Sequence, residues 1–171
     1  GGTQSYGGPV VLGASDTLSG STVTFANTVD GAHALTVTGN GVFDGAVGFG
    51  TKLSSLSVSG TTDINGGGVT TTGTQSYTGA VTISANDTLT TTNGLVSFGG
   101  PIDDSAANSH SLAIAAGTGG VTFGGAVGGN AELASLDTTG TPGTNTLDGN
   151  VKTGGTQSYG GPVVLGASDT L

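Results

Sequence analysis

The sequence contains no cysteine, methionine or tryptophan. The missing cysteines exclude disulfide bonds, a cysteine-based zinc site and thiol redox chemistry. Proline occurs only four times and the abundant glycine follows no period of three, which excludes a collagen triple helix. No apolar run approaches the roughly 18 residues of a spanning helix, so we predict no membrane-spanning segment.

Positive charge is nearly absent. Lys52 and Lys152 face 11 acidic residues, and the formal net charge is −9. Nucleic-acid binding draws its affinity from clustered Lys and Arg that release counterions, and two distant lysines form no such patch. The same deficit excludes a polybasic contact with anionic lipid.

Glycine is the most conspicuous residue that is present, at 36 of 171 positions. This is about three times the usual share of roughly 7 per cent. Hydrophobic residues make up 33 per cent and recur in short clusters along the whole chain, which argues against a disordered linker. The composition therefore favours a fibrous or repetitive β protein.

The two ends of the sequence are identical. Residues 1–18 and 154–171 both read GGTQSYGGPVVLGASDTL, at an offset of 153 residues. We therefore expect one full period of a tandem array followed by the start of the next copy. We also expect residues 154–171 to repeat the conformation of residues 1–18 after an axial translation and a small twist.

Each period contains an older duplication. The segment from Gln4 to Leu18 corresponds to the segment from Gln75 to Leu89, which divides the chain into a first half-repeat (1–74), a second half-repeat (75–153) and the start of the next repeat (154–171). Measured from one QSY glutamine to the next, Gln4 to Gln75 and Gln75 to Gln157, the half-repeats are 71 and 82 residues long, and four extra residues fall around 104–109. Such insertions are expected in surface loops.

Short runs rich in Val, Ile, Thr and Phe alternate with Gly, Asn, Asp and Ser, and they predict strands. Strand pairs recur about 21 residues apart, as Leu35 does with Leu56 and Phe43 with Ile64, which is typical of coils in a solenoid. We predict an all-β parallel β-helix with about seven three-strand coils per repeat. Tandem immunoglobulin-like sandwiches are the alternative, since the half-repeats are close to sandwich size.

The runs TGTQSYTGAVTISANDTL and GGAVGGNAELASLDTTG resemble the Gly/Thr-rich repeats of large bacterial surface proteins, the filamentous-haemagglutinin-like and autotransporter-like adhesins. The resemblance implies a right-handed parallel β-helix at the cell surface or outside the cell. It carries over no functional residue.

No catalytic, cofactor-binding or metal-binding residue is predicted. His33 and His110 hold equivalent positions in the half-repeats, and we interpret them as inherited turn residues. Nine of the aspartates fit local Asx turns better than a calcium site, although weak calcium binding stays open; they are Asp16, Asp30, Asp44, Asp63, Asp87, Asp103, Asp104, Asp148 and Asp169. With one glutamate, Glu132, no acid-base pair or triad can be assembled, so we predict no enzyme.

Two further motifs invite interpretation. Tyr6, Tyr77 and Tyr159 share a QSY segment, and we expect each ring to pack on a neighbouring coil while its hydroxyl reaches water or backbone. The threonine runs 70–72 and 90–92 do not recur on every coil, which argues against an ice-binding face. The expected function is therefore a structural repeat of an extracellular fibre or adhesin stalk. Its expected partner is itself, through end-to-end continuation, with lateral contacts between fibres left open. A glycan- or calcium-binding adhesive module is the alternative.

Overall fold

The structure, a computed structural model, describes residues 1–166; Asp169 lies outside the described residues. The regular secondary structure of the described chain consists of strands, most of them short, and a single short 3-10 turn at Gly117–Gly119. The strands are β1 (Gln4–Tyr6), β2 (Val10–Val11), β3 (Asp16–Phe25), β4 (Val29–Asp30), β5 (Ala34–Phe43), β6 (Ser55–Val58), β7 (Thr62–Ile64), β8 (Gly68–Thr70), β9 (Gln75–Tyr77), β10 (Val81–Ile83), β11 (Asp87–Thr90), β12 (Val96–Phe98), β13 (Ile102–Asp104), β14 (Ser111–Ala115), β15 (Val121–Phe123), β16 (Ser135–Thr138), β17 (Asn145–Leu147), β18 (Gln157–Tyr159) and β19 (Val163–Leu165).

The strands form a β-solenoid of about eight coils, and every strand pair among the described residues is parallel. Face A contains β1, the second halves of β3 and β5, then β7, β10 and β13. Face B contains β2, β4, β8, β11, β14, β16 and β18. Face C contains the first halves of β3 and β5, then β6, β9, β12, β15, β17 and β19. The predicted β-solenoid is confirmed, and the sandwich alternative is excluded.

The predicted spacing of the coils is also confirmed, because Leu35 pairs with Leu56 and Phe43 with Ile64. Three positions carry a single bridging residue where a strand would otherwise stand: Val47 on face B, and Val127 and Val151 on face A. With these positions included, each coil contributes one strand position to each face.

The core is a set of columns of apolar side chains that run along the solenoid axis. Along each strand the inward residues are buried and the intervening residues point outward, as the BiB burial of β10, β12 and β15 illustrates. Aromatic rings occupy two columns. Tyr6, Phe25 and Phe43 stack on face A with ring centroids 5.2 and 5.4 Å apart.

The second aromatic column lies on face C and repeats the first. Tyr77, Phe98 and Phe123 stack there with ring centroids 5.3 and 5.6 Å apart. Each half-repeat therefore supplies a tyrosine followed by two phenylalanines. Parallel rings at this spacing add attraction beyond the area that they bury.

Glycine fills the corner between faces C and A. A Cβ atom at each corner glycine would meet the backbone of the glycine one coil earlier, so the close stacking of the coils leaves no room for a side chain. At Gly39 the φ angle of +127° adds a backbone conformation that favours glycine. The high glycine content thus has a packing cause at the corner residues Gly20, Gly39, Gly60, Gly79, Gly100, Gly125 and Gly149.

The half-repeats do not contain a whole number of coils. From β1 to β9 the chain takes eleven steps from one face to the next, and from β9 to β18 it takes eleven more. The QSY segment therefore lies on face A at Gln4–Tyr6, on face C at Gln75–Tyr77 and on face B at Gln157–Tyr159. A 153-residue period spans seven and one-third coils.

This mismatch corrects one expectation. The second copy of the QSY segment is related to the first by an axial translation and a rotation of one third of a turn, not by a small twist. Identical sequences fit on different faces because each face presents the same inward and outward alternation to the chain. Successive repeats thus advance by one face each.

Candidate functional site

The described chain offers no enclosed site on which to centre a chemical activity. No pocket and no group of three potential metal ligands is found among residues 1–166. None of their helices is long and apolar enough to cross a membrane. The polar features that remain are the acidic corner residues, the QSY segments and the outward faces of the sheets.

Asp30 and Asp103, which are equivalent in the two half-repeats, connect successive coils. The Asp30 carboxylate accepts hydrogen bonds from the backbone N–H groups of Gly50 and Thr51, at 2.8 and 2.9 Å. Asp103 accepts from the N–H groups of Asn130 and Ala131, at 2.8 and 3.1 Å. These bonds reach the next coil, so the predicted local Asx turn is wrong at both positions. The pKa of Asp103 is lowered because these hydrogen bonds outweigh its partial burial.

Asp104 and His110 organise the inserted loop. One Asp104 oxygen accepts hydrogen bonds from the backbone N–H groups of Ser109 and His110, and the other accepts from the N–H of Ala106. The His110 ring lies 2.7 Å from Asp104, and hydrogen bonding keeps the carboxylate pKa low despite burial. The His33 ring makes no equivalent bond to a carboxylate within residues 1–166. The two histidines share instead a backbone role, with their carbonyls accepting from the N–H groups of Ser54 and Ala134.

Two further aspartates form side-chain bonds between coils on face A. The Asn65 amide donates to Asp44 at 2.8 Å, and the Ser84 hydroxyl donates to Asp63 at 2.8 Å. Each carboxylate thus has a neutral polar neighbour one coil away. The arrangement ties stacked coils together at the surface.

Asp87 is buried as Asp104 is, but it lacks the set of hydrogen bonds that surrounds the Asp104 carboxylate. Its side chain is 1 % exposed, and no donor within residues 1–166 completes a well-formed hydrogen bond to either carboxylate oxygen. Burial raises the pKa of Asp87 to about 7; the backbone N–H of Gly67 and the charge of His110 act in the opposite direction, and the charge of Asp63 adds to the rise. The Tyr77 side chain is also buried, and this burial, together with the charge of Asp87, raises the pKa of Tyr77.

The QSY segment builds a hydrogen-bonded unit in which a buried glutamine connects two coils. The Tyr77 hydroxyl donates to Gln75 Oε1 at 3.0 Å. The Gln75 amide donates to the carbonyl of Val69 in its own coil at 3.1 Å and to the carbonyl of Thr90 in the next coil at 2.9 Å. The tyrosine hydroxyl therefore bonds to a side chain, whereas we expected water or backbone.

The other two QSY segments each make part of the same set of bonds. Tyr6 donates to Gln4 and Tyr159 donates to Gln157, at 3.0 and 3.1 Å. Gln4 bonds to the carbonyl of Ser19, 15 residues later, as Gln75 does to Thr90. Gln157 bonds to the carbonyl of Val151, six residues earlier, as Gln75 does to Val69. Gln75 combines both sets of contacts because it has a coil on each side.

Replacing Gln75 by leucine should destabilise the protein by about 2 to 3 kcal/mol, because the Val69 carbonyl and the Tyr77 hydroxyl lose this partner inside the core and the Thr90 carbonyl keeps only the N–H of Thr71. Chemical denaturation followed by circular dichroism measures the change. The matched Gln4→Leu variant should lose less than about 1 kcal/mol, since water can reach its half-buried segment. Equal losses at the two positions would contradict the role assigned to Gln75.

The threonine runs lie at the corner between faces B and C, and their central residues are buried. The Thr71 hydroxyl donates to the carbonyl of Gly73 at 2.7 Å, and the Thr91 hydroxyl donates to that of Gly94 at 2.6 Å. Both runs therefore terminate turns and present no regular threonine surface.

A regular array of hydroxyl groups lies elsewhere, on the outward side of face C. At the middle outward position of seven consecutive coils the side chain is Ser or Thr. We name this column the hydroxyl ladder, and its members are Thr17, Thr36, Ser57, Ser76, Ser97, Thr122 and Thr146. The hydroxyl ladder cannot be recognised in the sequence alone, because its members are 19 to 25 residues apart and align only once the strand register is known.

Comparisons of this chain with protein-family models, with curated protein sequences and with solved structures found no match.

Proposed function

We propose that this chain is a structural repeat module of a long extracellular fibre or adhesin stalk on a bacterial surface. The proposal joins the β-solenoid fold to the sequence resemblance with Gly/Thr-rich surface repeats. The role of the chain is to lengthen the fibre, to resist proteolysis and to present a surface. It performs no catalysis and needs no cofactor.

One observation carries the proposal. Gln75, in the middle of the chain, bonds to its own coil and to the next, and the Gln4 and Gln157 units each supply one of these two contacts. A neighbouring identical repeat at either end would complete the missing contact of each unit. The fold thus accepts continuation at both ends, and it stabilises itself through contacts between neighbouring coils.

The mismatch between repeat and coil gives the proposed fibre a specific symmetry. Each repeat turns by one third of a coil relative to the one before, so three repeats and 22 whole coils are needed to return the same sequence to the same face. A side chain at the surface is thereby presented in three directions along the fibre. A stalk built in this way displays every surface feature all round.

The proposed location is tested with antibodies raised against the 171-residue chain. Intact cells of the source organism should be labelled without permeabilisation, and a denaturing gel should show a parent chain several times heavier than 16.1 kDa. Labelling that requires permeabilisation would contradict an extracellular role. A parent chain of about one period would contradict a covalent tandem array.

The alternative, a glycan- or calcium-binding module, draws on the acidic surface and the outward hydroxyl groups. Calorimetric titration with calcium and with surface glycans separates it from the structural role. A structural module should give no saturable heat at micromolar ligand, whereas a binding module should saturate there.

A further inference from the structure

We propose that the outward side of face C is a lateral interface, at which a second copy of this chain packs through the hydroxyl ladder. The inference deepens the proposed fibre function and rests on it. It identifies the partner as the same ladder on a neighbouring chain. Four features of face C carry it.

The first feature is the state of the hydroxyl groups. None of the seven ladder hydroxyls makes a hydrogen bond within residues 1–166. By contrast, the Ser111 and Ser135 hydroxyls on face B bond to each other at 2.8 Å. The ladder hydroxyls are therefore free to donate and to accept, and a facing row of Ser and Thr offers both functions to each of them.

The second feature is charge. The ladder positions are uncharged, and the carboxylates nearest to them along the strands are Asp16 and Asp148, at the two ends. Face A carries Asp63 and Asp103 at the same outward position, and face B carries Asp137. For a chain with net charge −9, face C is the side on which a second copy approaches with least repulsion.

The third feature is the period. Stacked coils repeat every 4.7 to 4.9 Å or so, and a second solenoid has the same repeat by construction. Two ladders can therefore stay in register along their whole length, which a partner of another period cannot do. Flat sheets with repeated identical side chains pack in this way in dry interfaces between stacked sheets.

The fourth feature is size. Seven coils by three to four residues of strand give a patch of roughly 400 Å² per copy, or about 800 Å² for a pair, from the strand dimensions. This is below the usual size of a specific, stable interface, so one ladder should associate weakly and reversibly. In a tandem array the ladder moves to the next face with each repeat, and many weak contacts then combine.

The test compares two double variants of the 171-residue chain. Ser76→Glu with Ser97→Glu places two charges in neighbouring coils of the ladder. Thr88→Glu with Ala113→Glu is the matched control, because it places the same charges at paired outward positions of face B. Circular dichroism checks that both variants fold, and small-angle scattering over a concentration series gives the cross-section and the length separately.

In the wild-type chain the cross-sectional radius should grow with concentration, and more so at high salt, which screens the remaining repulsion. The face B variant should follow the wild type, whereas the face C variant should associate at least tenfold more weakly. Growth in length at constant cross-section would overturn the lateral interface and leave the fibre proposal intact. Equal association of the two variants would also overturn it.

Other occupants of face C are measured on the same samples. Thermal hysteresis that is lost only in the face C variant would show that the ladder binds ice. Retention on an insoluble neutral glucan that is lost only in the face C variant would show that the ladder binds glycan. Either result, without growth in cross-section, would overturn the proposal of a second copy.

Discussion

Replacing Phe98 by alanine should lower the free energy of unfolding by about 3 to 5 kcal/mol, which is the usual cost of removing a buried phenylalanine ring. Phe98 is 1 % exposed and stacks between Tyr77 and Phe123 at 5.3 and 5.6 Å. The substitution leaves a cavity between two rings that belong to different coils. Because each coil contacts only its neighbours, the loss should weaken the whole stack at that point.

Urea denaturation followed by circular dichroism checks this prediction. The control is Phe49→Ala, since Phe49 is 60 % exposed and its removal should cost less than about 0.5 kcal/mol. The account of the core would be wrong if both phenylalanines proved equally tolerant of substitution.

The protein should be most stable at mildly acidic pH, and Asp87 should be the main cause. Its pKa in the folded state is about 7, against an ordinary value of 3.8. Below pH 3.8 the residue is protonated in both states and its contribution is fully present. As the pH rises towards 7, the unfolded state loses the proton first, so stability falls, by on the order of 2 to 4 kcal/mol at pH 8.

Other carboxylates act in the opposite direction at lower pH. The pKa values of Asp103 and Asp104 are lowered in the folded state from an ordinary value of 3.8. The stability that these two residues contribute is therefore lost as the pH falls below 3.8. We therefore expect the highest stability near pH 4 to 5.

The Asp87→Asn variant tests this assignment, because the amide cannot ionise. Thermal unfolding of the variant should vary little between pH 5 and 8, whereas the wild type should lose stability. The control Asp137→Asn alters an exposed aspartate and should keep the wild-type decline. A wild type that is equally stable or more stable at pH 8 would refute the assignment to Asp87.

The sequence predicts the fold well because solenoid coils leave a local signature. The pairing of Leu35 with Leu56 could be predicted from their 21-residue spacing alone, since each inward position must be apolar on every coil. The inserted loop at 104–109 could be placed in the same way, because the flanking pattern resumes after it. Composition and periodicity are sufficient for such features.

The symmetry of the repeat could not be predicted in this way. Val47, Val127 and Val151 each hold a strand position with a single bridging residue, and no pattern in the sequence distinguishes them from loop residues. Unless these three positions are recognised, the number of steps from face to face in a half-repeat cannot be counted. The face on which Tyr77 or Tyr159 lies then cannot be predicted either. The one-third turn between repeats follows only from the pairing of the strands.

Side-chain contacts between coils could not be predicted from the sequence either. Asp30 and Asp103 bond to backbone groups 20 to 28 residues away, whereas an aspartate beside a turn-forming residue in the sequence suggests a bond within its own turn. The hydroxyl ladder depends on register for the same reason. Both features follow from which residues of successive coils lie side by side.

The axial length of one repeat is the most direct measure of the proposed continuous solenoid. A chain extended by one further 153-residue period should be longer than the 171-residue chain by about 35 Å, the product of seven and one-third coils and the strand separation. Its cross-section in small-angle scattering at high dilution should be unchanged. An increase on the order of 60 to 80 Å, as for two sandwich domains placed end to end, would contradict the account.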